Sequence, residues 1–198
     1  MSRADISSYL VHFTSDNSHG DAFTRLRKII ADRRLIAGSR YIKGNYQCVC
    51  FSEAPLASLK NGLMNEDYYS RYSPFGIMVS KQWLFAQGGR PVIYQSAEEY
   101  HSLPESHRWR HVLYQPGDSK ETIDFTSERE WRIKCGCLAF DQSCAQIIVL
   151  DHSWATRLIS EHDCEEDYRI MQYKLIFDDD ITAEAYRSSF HWTVLTLG

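Results

Sequence analysis

Eleven residues, Asp124-Phe-Thr-Ser-Glu-Arg-Glu-Trp-Arg-Ile-Lys134, constrain the fold of this chain more than any other stretch. As an extended strand they send alternate side chains to opposite faces. Glu128, Glu130 and Arg132 then share one face, while Arg129, Trp131 and Ile133 share the other. Trp131 and Ile133 give the second face something to bury. The first face carries two carboxylates whose backbones lie roughly 6–7 Å apart, two residue rises along a strand. Like charges at that spacing repel mildly. Two explanations fit: a site that uses carboxylates on a sugar, or a solvated face with the neighbouring arginines as partners.

The rest of the chain supplies the sheet to which that strand belongs. Tyr9-Leu-Val-His-Phe-Thr-Ser15 predicts a first strand, with Leu10, His12 and Thr14 on one face and Val11 and Phe13 on the other. The polar cluster 15–20 breaks it and offers N-caps. Phe23, Leu26, Ile29 and Ile30 then recur at helical spacing, with Gly38 as the stop. Further strands are predicted over Gln47–Ser52, Gly76–Ser80, Pro91–Tyr94, Ala145–Leu150, Tyr173–Phe177 and Trp192–Leu197. Short helices are expected from Pro55, over Lys81–Phe85 and over Trp154–His162, with a last one capped by Asp178–Asp180. Residues 97–114 read as helical with a break at Pro104, and Gln115–Ser119 as a turn. The sum is one α+β domain over residues 1–198 with a mixed, mostly antiparallel sheet.

Composition narrows the function classes. With 43% hydrophobic residues the chain can bury a core, and a net charge of −4 argues against a generic nucleic-acid binder, though not against a local basic cleft. No apolar run is long enough to span a membrane and no signal-peptide core opens the chain, so a cytoplasmic location with no membrane partner is expected. Cys48/Cys50 and Cys135/Cys137 have Cys-x-Cys spacing inside strand-like text, which favours buried thiols over a zinc site. Glycine-rich phosphate loops and a Gly-x-Ser-x-Gly elbow are absent.

From Ser73 onward the motifs take a familiar order. Phe75-Gly-Ile-Met-Val-Ser-Lys-Gln-Trp83, Gly88-Gly-Arg-Pro-Val-Ile-Tyr94 and Glu128-Arg-Glu-Trp-Arg132, with the earlier Cys50-Phe-Ser-Glu-Ala-Pro-Leu56, resemble the AbiGi-like abortive phage infection proteins. That resemblance covers roughly residues 9–134 and implies phage defence, in some members as antitoxins. The layout is also similar to ADP-ribosyltransferases: a strand with His, a helix, a strand ending in Ser and a late strand with Glu. The DarT-type enzymes that modify nucleic acid likewise begin with a His-Phe-Thr-like strand. The Glu128-Arg-Glu130 pair looks like the Glu-x-Glu of the arginine-modifying subgroup, whose first strand carries Arg where this chain has His12.

The second resemblance implies roles, residue by residue, with NAD as co-substrate. His12 and Ser52 would hold it, and Glu130 would contact the ribose and stabilise an oxocarbenium-like transition state. Glu128 would activate the acceptor, a protein or a nucleic acid, which the loop 115–127 would help to select. Arg132 would pair with the glutamates or meet the pyrophosphate. Tyr72 is one of four aromatics, with Tyr68, Tyr69 and Phe75, that could stack on nicotinamide or simply pack a loop. Structural explanations stand beside these: a half-buried His, a Ser that caps the Pro55 helix. Two other functions fit the same text, a non-enzymatic partner of a cognate toxin or antitoxin, and an NAD glycohydrolase with water as acceptor.

Overall fold

Tyr9-Leu-Val-His-Phe forms β1 (Tyr9–Phe13), a central strand with neighbours on both edges. The structure is a computed structural model that describes residues 6–16, 20–53, 73–117 and 122–198. The helix expected from Pro55 and the aromatics Tyr68, Tyr69 and Tyr72 lie outside the described residues. After β1, Asp21 caps α1 (Ala22–Asp32) by accepting the Thr24 N–H at 2.8 Å. Phe23, Leu26 and Ile30 form its buried stripe. The helix ends earlier than Gly38, at Arg33 in the left-handed region (φ 50°), and the next three residues form β2 (Arg34–Ile36).

The strands β3 (Cys48–Ser52), β4 (Gly76–Ser80), β5 (Arg90–Pro91), β8 (Glu130–Lys134), β10 (Ala145–Val149) and β11 (Val194–Thr196) join β1 in one sheet. Its order is β11-β10-β4-β1-β3-β8-β5. The β10–β11 pair is parallel and the others are antiparallel, so the sheet is mixed. Two small ladders flank it: β2 with β9 (Cys137–Ala139), and β6 (Ile93–Gln95) with β7 (His111–Leu113).

One face of the sheet holds the main core. Leu10, Val49, Phe51, Ile77, Val79, Trp131, Ile133 and Ile147 pack there with the stripe of α1. Leu84 of α2 (Lys81–Ala86) and Ala155 and Leu158 of α3 (His152–Phe177) complete it. Trp131 and Ile133 thus take the core side that alternation predicts. The opposite face divides in two. Val11, Phe13, Met78 and Ile148 make a second apolar cluster, while Cys48, Cys50, Ser52, Glu130 and Arg132 form a polar half. That half is where the cleft lies.

Several expectations are corrected. The strand expected over Tyr173–Phe177 is the last turn of α3, a 26-residue helix that runs on from the expected Trp154–His162. Tyr173 and Phe177 fall one helical turn apart and both rings meet Tyr186, Tyr173 in a T-shaped contact at 5.4 Å and Phe177 stacked at 5.3 Å between centroids. Residues 97–114 break at Pro104 as expected, but the pieces on either side are not α-helix. They form 3-10 turns over Glu99–Ser102 and Glu105–Arg110 and then β7. The Pro91–Tyr94 strand splits between two ladders: the β8 side ends with the Val92 N–H donating to the Glu130 carbonyl at 3.0 Å, and Ile93–Gln95 then pairs with β7. A last helix, α4 (Asp180–Glu184), is capped by Asp179.

Candidate functional site

Only half of the opening stretch is a strand. Thr126–Glu128 winds into a 3-10 turn, Arg129 follows in the left-handed region (φ 44°), and β8 begins at Glu130. Glu128 and Glu130 therefore do not sit two rises apart on one strand face. The turn brings Glu128 back over the end of β3, where the Ser52 hydroxyl donates to its backbone carbonyl at 2.8 Å. Both carboxylate residues still line one cleft. Tyr94 pins the junction from the other side: its hydroxyl donates to the Phe125 carbonyl at 3.0 Å and accepts the Glu130 N–H at 3.2 Å.

The cleft has a volume of about 260 Å³. Ser52 and Glu130 form part of its floor, directly opposite each other across β3 and β8. Its walls include Phe13, Cys50, Glu128 and Val112, and Arg40 and Tyr41 stand at the side. Tyr41 is 76% exposed, with the Arg40 guanidinium 4.8 Å above its ring.

Arg132 lies beneath Glu130 and is only 4% exposed. Its Nε and Nη2 donate to the two Glu130 carboxylate oxygens at 2.8 and 3.2 Å. Nη1 donates to the Trp109 and His111 carbonyls at 3.1 and 2.9 Å. Burial alone would depress this guanidinium, but the Glu130 carboxylate outweighs it and raises the pKa above the usual arginine value. Arg132 is thus committed to Glu130 and to backbone. Of the two expectations for Arg132, pairing with a glutamate is the contact observed, and Arg40 is an exposed cation on the cleft wall.

His12 reaches the cleft from behind. Its partner in β4 is Ile77, a residue of the main core, so its side chain leaves the sheet opposite to Ser52 and Glu130. However, β1 and β3 are in register only at Val11 and Ser52. Beyond that pair, His12 Nδ1 donates to the Cys50 carbonyl at 2.8 Å. The ring also meets Phe51 edge-on. His12 consequently lines this cleft and a second one of about 180 Å³ that holds Arg25, Lys28 and Arg34. Burial lowers its pKa, the Cys50 bond opposes that, and Arg25 adds to the lowering. With Nδ1–H given to the carbonyl, the neutral ring keeps Nε2 as an acceptor.

Cys48 and Cys50 are poor nucleophiles. Burial pushes Cys48 up to about 11, and burial together with the Glu130 carboxylate drives Cys50 higher still. Among the described residues no group of three His, Cys, Asp or Glu side chains is placed to hold a metal ion. No helix among them is long and apolar enough to cross a membrane.

His12, Ser52, Glu128, Glu130 and Arg132 all meet around this cleft, while Tyr72 lies outside the described residues and Phe75 is in the core. Sequence reasoning missed Tyr94, Arg40 and Tyr41 as parts of the site. Tyr94 carries no signal beyond being a strand tyrosine. Tyr41 sits in a loop that Gly44 and Asn45 announce, and only the fold brings that loop to the cleft. Comparison with family models, with curated proteins and with solved structures gives no match for this chain.

Proposed function

We propose that this chain is an ADP-ribosyltransferase-like enzyme that uses NAD to modify a protein or nucleic-acid acceptor in bacterial phage defence, with a sheet of the ADP-ribosyltransferase type. The observation that supports it best is the direct pairing of Ser52 with Glu130 on the floor of a cleft that Glu128 also lines. A cleft of about 260 Å³ is just below the usual range for ligand sites and suits only the nicotinamide–ribose end of a dinucleotide, with the rest extending past Arg40 and Tyr41.

NAD supplies an electrophilic ribose carbon with nicotinamide as the leaving group. Glu130 faces the positive charge that develops on that ribose as the bond to nicotinamide breaks. Each carboxylate oxygen has lone-pair capacity beyond its bond to Arg132, so Glu130 can still accept a ribose hydroxyl. Glu128 takes the proton of the attacking acceptor. Ser52 is held by the Glu128 carbonyl and ties the turn to β3, while Tyr41 offers an exposed ring for stacking.

Incubation of the purified protein with labelled NAD and cell extract tests this reading. Label on a macromolecule, lost in Glu130→Gln, supports it. Nicotinamide release without labelled product points to the glycohydrolase. Neither release nor transfer, with Glu130→Gln indistinguishable from the parent, defeats both. A second reading, an antitoxin-like partner without catalysis, is favoured by the bidentate hold of Arg132 on Glu130. It requires that a neighbouring gene be toxic alone and silenced by co-expression.

A further inference from the structure

The distal half of α3 carries an apolar stripe on the side turned away from the domain. Cys164, Tyr168, Met171 and Leu175 follow one another at spacings of four, three and four. At 100° per residue they fall within an arc of about 60°. All are exposed, Tyr168 at 60%, Met171 at 51% and Leu175 at 81%. The inward side of the same turns is already occupied: Glu166 and Ile170 are buried, and Tyr173 and Phe177 pack on Tyr186. The stripe is therefore not the face by which the helix docks on its own domain.

Spacing of four and three is that of a coiled-coil seam rather than of a scattered set of surface apolar residues. Asp167 and Lys174, seven residues apart, run along one edge of the stripe, and Glu165 and Gln172 along the other. We propose that this face is an interface with a second copy of the chain, the two α3 helices running antiparallel. In that arrangement Tyr168 meets the partner's Met171, and Cys164 meets the partner's Leu175. The two-fold axis then sets Asp167 beside the partner's Lys174, and Lys174 beside the partner's Asp167. Glu165, which pairs with Arg27 of its own chain, lies beside the neutral Gln172 on the far edge. A parallel pairing would instead set Asp167 against Gln172, with no charge complement.

The local ion pairs do not oppose this. Asp167 is 2.7 Å from Arg187, and Lys174 is 3.8 and 3.7 Å from Asp180 and Glu184. Exposed pairs of this kind are worth little and can be shared. A seam of about three turns is small, so association is concentration-dependent. The inference is independent of the proposed chemistry, because none of these residues lines the cleft.

Sedimentation velocity on the full chain reads it directly. The mass is expected to rise from 23.1 kDa toward twice that value as protein concentration increases from about 1 to about 100 µM. Met171→Glu should weaken association at least tenfold, with an unchanged circular dichroism spectrum because the side chain is exposed. Lys174→Asp should also weaken it, and Asp167→Lys combined with Lys174→Asp should restore it. Leu175→Cys then reads the direction. Eleven residues of helix separate positions 164 and 175 by about 16 Å, too far for a bridge within one chain. Mild oxidation should give an interchain bridge from Cys164 to the introduced thiol. A monomer throughout, a dimer that tolerates Met171→Glu, or bridges that join only the two copies of Cys164 would each overturn the proposal.

Discussion

Arg132 holds both carboxylate oxygens of Glu130, at 2.8 and 3.2 Å, from beneath the floor of the cleft. The pair couples stability to the proposed activity. Removing one partner of a buried ion pair leaves the other charged and unsatisfied, at a cost of about 3–5 kcal/mol. Glu130→Ala is expected to lose that much in urea denaturation. Glu130→Gln should lose distinctly less, because its amide oxygen still accepts from Arg132. Both should abolish any NAD-dependent reaction. No measurable loss in Glu130→Ala would mean that the ion pair contributes nothing to stability.

His12 makes stability depend on pH. Its pKa in the folded protein lies below the ordinary histidine value, chiefly through burial. The unfolded chain therefore binds the proton first as pH falls, and stability declines from about pH 7 toward the lower folded pKa, by up to about 1.4 kcal/mol for each pH unit. His12→Asn retains an N–H donor for the Cys50 carbonyl and cannot titrate. Its melting temperature should be flatter than the parent's between about pH 5 and 7, above the range in which Asp21 and Asp151, whose pKa values are lowered by hydrogen bonds, contribute.

Tyr94→Phe removes a hydroxyl that bonds both the Phe125 carbonyl and the Glu130 N–H. Two hydrogen bonds of ordinary strength are worth about 1–3 kcal/mol together. The larger effect should be local. Hydrogen exchange at the Glu130 amide should accelerate, while amides of β4 stay protected. Unchanged exchange at Glu130 would show that the 3-10 turn is held without this contact.

Gly76→Ala tests the join between β1 and β4. A Cβ there would lie 2.6 Å from the His12 carbonyl oxygen and 3.1 Å from Val11 Cγ1. Both contacts are in the middle of a sheet whose strands cannot part cheaply. A loss on the order of 1–3 kcal/mol is expected in chemical denaturation. Gly38→Ala, where nothing lies within 4 Å, is the control and should be near neutral.

Local pattern made the sheet strands readable wherever one face is apolar. Gly76–Ser80 matches β4 residue for residue, and Trp131 and Ile133 take the core side by alternation. It failed where a segment's partners are distant. Tyr173-Lys-Leu-Ile-Phe177 has strand-like composition, yet Tyr186 offers a ring to residues spaced four apart and the segment is helical. The charged run 97–114 closes on itself through Arg108 bonds to the Leu103 and His101 carbonyls, which composition does not display.

The two glutamates of the opening stretch show the same division. Alternation by itself determined that Glu130 and Arg132 share a face opposite Trp131, because side-chain direction in a strand depends only on parity. It could not determine that the strand starts at Glu130. That was decided by Ser52 and Tyr94, which reach the Glu128 and Phe125 carbonyls and the Glu130 N–H from other parts of the chain. Nor could it show that His12 leaves the sheet on the other side and reaches the cleft where β1 and β3 part. Which residues carry charge is local chemistry; which of them face one another depends on register between strands separated by dozens of residues, and only the folded sheet supplies it.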